Sequence, residues 1–210
     1  MRFVTAAALA ALVFVSAPQS ASAGDAERGE ALFDLCTQCH GSAGQGNPMA
    51  LAPSIAGLSE WYVTAQLKNF KKGVRGMHPD DMGGLRMYPM SLSLRSEDDI
   101  EAVAAYVASL PLTDPAPTVE GGNAAKGAEY WKTCASCHGP DGTGNRELNA
   151  PRLVGVSDWY LFEALKKYKA GIRGWNTGNQ PAVMMRGMAM SLPDEQAIRD
   201  VIAYIHELEN

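Results

Sequence analysis

Past residue 15 the chain has no long hydrophobic run. It has no run of basic residues either, and only four cysteines in 210 residues. The missing apolar span excludes a membrane-crossing segment in the body of the chain. Lys and Arg number 18 against 23 Asp and Glu, a formal charge of −5. That balance, with no basic cluster, argues against a nucleic-acid partner. Strand-period alternation is absent as well, which leaves helix as the regular structure this sequence specifies.

The four cysteines form two boxes, Cys36-Thr37-Gln38-Cys39-His40 and Cys134-Ala135-Ser136-Cys137-His138. In each C-x-x-C-H box two thiols are spaced to be alkylated by the two vinyl groups of one haem, and the next residue supplies an imidazole to its iron. Cys36, Cys39, Cys134 and Cys137 are therefore the expected attachment points of two covalent haem c groups, with His40 and His138 as iron ligands. A four-cysteine zinc ribbon needs its pairs about 15–20 residues apart, whereas Cys39 and Cys134 stand 95 positions apart. A thioredoxin-like dithiol needs a βαβ setting that is not readable here. Haem attachment uses every thiol and leaves none for structural disulfides.

Arg2, the apolar run Phe3 to Val15 and the sequence Ala21-Ser22-Ala23 read as a signal peptide over residues 1–23, cleaved after Ala23. No cysteine at that point suggests a lipid anchor. An exported haem protein of this kind is expected in a bacterial periplasm.

The remainder is one unit written twice. Cys36 and Cys134, Pro53 and Pro151, Trp61 and Trp159, Arg75 and Arg173, and Tyr106 and Tyr204 all keep one offset of 98. The expected organisation is a first domain over 24–110, a proline-bearing linker over 111–122 and a second domain over 123–210. Asp25, Ser59, Ser96 and Ser157 are expected helix caps. Gly73 and Gly171 are expected stops. Ile100, Val103, Val107 and Leu110 form the apolar stripe of a last helix, and Ile198, Val201, Ile202, Ile205 and Leu208 repeat it.

The repeat also bears on the sixth ligand. Candidates in the first half are Met49, Met77, His78, Met82, Met87 and Met90. Adding 98 gives Glu147, Trp175, Asn176, Gln180, Met185 and Met188, so only two pairs survive. Met87 and Met185 are favoured; Met90 and Met188 are the alternative, packing over the haem edge if they are not ligands. Met82, Met184 and Met190 read as packing residues, His78 as a solvated loop residue and His206 as a surface residue. Methionine–histidine ligation raises the reduction potential and closes both axial positions.

These residues resemble class I c-type cytochromes, and the duplication resembles the two-haem cytochrome c4 family, over nearly the whole chain past residue 23. The resemblance implies an all-α fold of two tandem cytochrome c domains. It implies that the carbonyls of Pro53 and Pro151 orient the ligand histidines, and that Gly29 with Tyr106 and Gly127 with Tyr204 form the crossings of first and last helices. It also places the ligand methionines at Met87 and Met185. Arg75 and Arg173 are suited to neutralise haem propionates, and Trp61, Tyr62, Trp159 and Tyr160 to line the pockets.

Residues 24–110 hold seven basic and eleven acidic residues, whereas 123–210 hold ten of each. Unequal fields of this kind steer encounters with redox partner proteins. The expected function is a soluble periplasmic dihaem carrier between respiratory or oxidative redox complexes, with peripheral association at such a complex and no catalysis of its own. The alternative is a haem-bearing subunit of an enzyme complex, such as a flavin-dependent sulfide dehydrogenase.

Overall fold

A computed structural model describes the backbone of residues 23–208 and the side chains of 26–208. The expected signal peptide therefore lies outside the described residues, save the backbone of Ala23. Among the described residues eight α-helices follow in order: α1 Ala23–His40, α2 Glu60–Lys71, α3 Met82–Leu92, α4 Glu97–Ser109, α5 Ala124–His138, α6 Asp158–Lys169, α7 Gln180–Ala189 and α8 Glu195–Glu207. Among the described residues the only β-type pairings are two isolated bridges, Asn47 with Ala52 and Asn145 with Ala150. The all-α expectation holds.

Each half is built on the crossing of its first and last helices, α1 on α4 and α5 on α8. The crossings need glycine. A Cβ on Gly29 would meet the carbonyl oxygen of Ala102 and lie 2.9 Å from Cβ of Tyr106; one on Gly127 would meet the carbonyl of Asp200 and lie 2.9 Å from Cβ of Tyr204. Aromatic pairs flank both crossings, Phe33 with Tyr106 at 5.3 Å and Trp131 with Tyr204 at 6.2 Å between ring centres. Ile100, Val103 and Val107 are buried with Phe33, Leu67 and Leu94; Ile198, Val201, Ile202 and Ile205 are buried with Trp131 and Leu192. Each such side chain contributes about 1.5–3 kcal/mol by leaving water. Leu110 and Leu208, at the ends of the two stripes, are only half-buried.

The helix ends follow local chemistry. Ser96 accepts from the amide of Asp99, whose carboxylate takes the amide of Ser96 in return, the expected capping box. Gly73 and Gly171 end α2 and α6 at φ +68° and +74°, where a side chain would be strained. Lys71 and Lys169 each donate to a carbonyl before the last helix, that of Leu94 and that of Leu192.

Other expectations need correcting. Asp25 lies within the helix α1 and is not its cap. Ser59 and Ser157 precede α2 and α6 but make no side-chain capping bond. The Ser157 hydroxyl instead accepts the amide of Ser54 from the other half at 3.0 Å. The segments carrying Met87 and Met185 are helices, α3 and α7, although α3 contains Pro89 and α7 begins Gln180-Pro181. Asp81 and Asn179 cap them through the amides of Gly84 and Ala182.

Residues 111–120 take no regular secondary structure, as their prolines require, yet they are fastened down. The buried Asp158 carboxylate accepts the amides of Thr118 and Val119, each at 2.6 Å, and the Thr118 hydroxyl at 2.8 Å. Thr113 meets the Ser54 hydroxyl at 2.6 Å.

Candidate functional site

The last residue of α1 is His40 and the last of α5 is His138, so each box ends where its helix ends. Both imidazoles are buried, at 6% and 7% exposure. His40 Nδ1 lies 2.9 Å from the Pro53 carbonyl, and His138 Nδ1 lies 2.8 Å from that of Pro151. A carbonyl can only accept, so Nδ1 carries the proton in each ring and Nε2 keeps its lone pair. Burial lowers both histidine pKa values, against the upward pull of the carbonyl bonds. The result is two neutral, oriented imidazoles with one nitrogen left for a metal. Cys36 and Cys134 are partly buried, and burial pushes each thiol up to about 11.

Facing His40 is a cavity of about 390 Å³, lined mainly by apolar groups that include Ile55, Leu67, Phe70 and Met87. It continues into the second half, where Leu153, Trp159 and Tyr160 line it. Of the four repeated methionines, Met87 lines this cavity; Met90, Met185 and Met188 do not, and neither does His138. Tyr62 also lines it, whereas Trp61 does not. Met87 and Cys36 each pack on the first core, and Met188 is 39% exposed. Met82, Met184 and Met190, expected as packing residues, are exposed at 55%, 63% and 60%. Met82, at the start of α3, lines the cavity, whereas Met184 is on α7 and Met190 just past its end, positions not readable without those helices. His78 is only partly exposed, 6.4 Å ring to ring from Trp175 of the other half, and His206 is half-buried on α8.

Arg173 is buried and Arg75 half-buried. Both line the cavity and both donate to the hydroxyl of Tyr160, at 2.9 and 3.3 Å. Burial alone would raise the Tyr160 pKa, but Arg173 and Arg75 outweigh it and draw the phenol down to about 8. Tyr62, its counterpart, is pushed up to about 12 by burial and by the neighbouring Tyr160. Arg75 Nε is buried and has no hydrogen-bond partner. An orphaned cationic donor at the wall of an apolar cavity is what an anionic substituent of a flat, greasy cofactor would satisfy. With the free Nε2 of His40 and the paired thiols, the residues fit haem c. This convergence of both arginines across the domain seam was not readable from the sequence, which offers only their shared offset.

A family model for cytochrome c matches residues 26–111 and again 124–209. The chain belongs to the cytochrome c family, as two tandem helical domains whose boxes hold two covalent haem c groups for electron transfer. Within that family it is similar to the two-haem cytochromes c4. It is 32% identical to cytochrome c4 of Stutzerimonas stutzeri over 196 residues, covering 88% of this chain and 91% of that one. The crystal structure of reduced recombinant cytochrome c4 from Pseudomonas stutzeri matches with a TM-score of 0.67 at 30% identity, over 88% of this chain and 98% of that one. The thiosulfate dehydrogenase electron acceptor of Thiomonas intermedia is 34% identical over 206 residues, covering 93% of this chain and 87% of that protein.

Proposed function

We propose that this protein is a soluble periplasmic electron carrier whose two irons are each held between a histidine and a methionine, His40 with Met87 and His138 with Met185. The proposed units are a leader over 1–23, a first domain over 24–110, a linker over 111–122 and a second domain over 123–210. Haem c supplies a one-electron iron couple. The protein's part is to attach it through Cys36, Cys39, Cys134 and Cys137, to hold each imidazole by its proline carbonyl, and to exclude water from the cavity walls. Arg75 and Arg173 hold positive charge at the seam, where they can balance propionates.

The observation that carries this reading is the cavity facing His40, which is continuous across the seam and lined by residues of both halves. Such continuity suits passage of an electron from one domain to the other. With both axial positions closed, neither iron can take up a substrate, so the protein is not expected to be an enzyme. Among the described residues no helix is long and apolar enough to cross a membrane. Similarity to a thiosulfate dehydrogenase electron acceptor favours a second reading, in which the protein serves one dehydrogenase as a dedicated acceptor.

Purification of the haem-loaded protein from its native cells tests the carrier. The expected product is a chain beginning at Gly24, released with the periplasm and free of a catalytic subunit, that exchanges one electron per haem with a donor and an acceptor. Tight copurification with one dehydrogenase would replace the carrier by the dedicated acceptor. Turnover of a small molecule by the isolated protein would overturn both.

A further inference from the structure

The two methionine-bearing helices are not fastened alike. Asp81 caps α3, its Oδ1 accepting the amide of Gly84 at 3.1 Å, and the side chain is 6% exposed. A Cβ at Gly84 would strike the Asp81 carboxyl, so that carboxylate is packed against the first turn of α3. The same Oδ1 receives Lys167 Nζ of α6, from the other half, at 2.8 Å. Burial alone would raise the Asp81 pKa, but Lys167 holds it below the usual carboxylate range.

Equivalent residues of the two halves come together at the seam. Val74 and Ile172, Arg75 and Arg173, Gly76 and Gly174, and Asp81 and Asn179 are pairs at the repeat offset, and all eight line one small pocket at the seam. At the repeat offset the counterparts of Lys167 and Asp81 are residues 69 and 179. Positions 69 and 179 are both asparagine. Asn179 still caps its helix, with the amide of Ala182 at 3.4 Å, but it has no charge to pair. Among the described residues one methionine helix is thus tied across the seam by a charge pair and its twin is not.

We propose that Lys167, acting through Asp81, is a positioning residue for Met87, so that ligation in the first domain depends on docking of the second while ligation in the second domain does not depend on the first. The inference rests on the methionine reading above. A carboxylate that caps a helix and also meets an ammonium from another domain fixes that helix start against both bodies. Removing one partner of a pair this buried leaves the other uncompensated. Met87, near the middle of α3, then gains freedom that Met185 does not.

The test uses the fully haem-loaded, reduced protein and the NMR signals of the two ligand methionine methyls, which report each iron separately. Guanidinium is titrated in the wild type and in the Asp81→Asn, Lys167→Asn and Lys167→Arg variants. Asparagine caps a helix about as well as aspartate, so Asp81→Asn removes the pair and keeps the cap. The expected result in Asp81→Asn and Lys167→Asn is an increase of about tenfold in the ligand-free fraction at the first iron alone. Lys167→Arg is expected to restore it. Equal loss at both irons, or no change at either, overturns the inference. A wild type lacking one methionine signal overturns the ligand reading instead.

Discussion

Arg75 of the first half donates to the Tyr160 hydroxyl of the second at 2.9 Å, where Arg173 also arrives. One phenol therefore joins two guanidiniums across the domain seam. A hydrogen bond to a charged group contributes about 1.5–3 kcal/mol. Tyr160→Phe is expected to lower the stability of the haem-loaded protein by that amount in chemical unfolding. Tyr62→Phe leaves both bonds intact and is expected to cost less than 1 kcal/mol.

Glycine substitutions are expected to differ in sign by place. Gly29→Ala and Gly127→Ala drive a methyl into a backbone carbonyl that cannot yield, so each is expected to destabilise by about 3 kcal/mol. Gly187, inside α7, has open space around its missing Cβ. Gly187→Ala is expected to stabilise by about 0.5–1 kcal/mol, because alanine loses less backbone entropy in a helix. Thermal unfolding of the three variants checks the ordering.

Asp99 provides the acid dependence. Its bond to Arg28 and those from the Ser96 and Arg95 amides hold its pKa at about 2, below the usual 3.8. A carboxylate depressed in the folded state gives stability that is present above pH 3.8 and is lost as the pH falls toward 2. Unfolding followed from pH 5 to pH 2 is expected to weaken in the wild type across that window. Asp99→Asn should begin less stable and show a flatter profile there.

Much of this was legible because the chain states its plan twice. The boxes and the Ser96 capping box rest on short-range spacing, while the histidine–proline bonds and the glycine–tyrosine crossings were implied by the resemblance to class I cytochromes; the structure shows each in place. The helices α3 and α7 were missed because Gly83, Gly84, Pro89 and Gly187 lower helix propensity; packing against α2 and α6 overrides it. The exposed Met184 and Met190 were misread for the same reason. The convergence on Tyr160 and the pair of Asp81 with Lys167 depend on how the halves dock, and a residue pattern within one half carries no record of that.

The linker offers a direct probe of Asp158. Three bonds from Thr118 and Val119 end on its carboxylate. Asp158→Ala is expected to free the strap and speed proteolytic cutting between residues 111 and 122, with both domains left folded. Cutting no faster than in the wild type would show that Thr113 and its neighbours suffice to hold the strap.

Two closed irons are the centre of the account, and optical spectroscopy of the haem-loaded protein reaches them most directly. The oxidised wild type is expected to show the weak red band of sulfur–iron charge transfer, and its reduced form to refuse carbon monoxide. Met87→Ala and Met185→Ala should each lose about half of that band and open one iron to the gas. A high-spin or nitrogen-only iron in the resting wild type, or uptake of carbon monoxide without mutation, would contradict it.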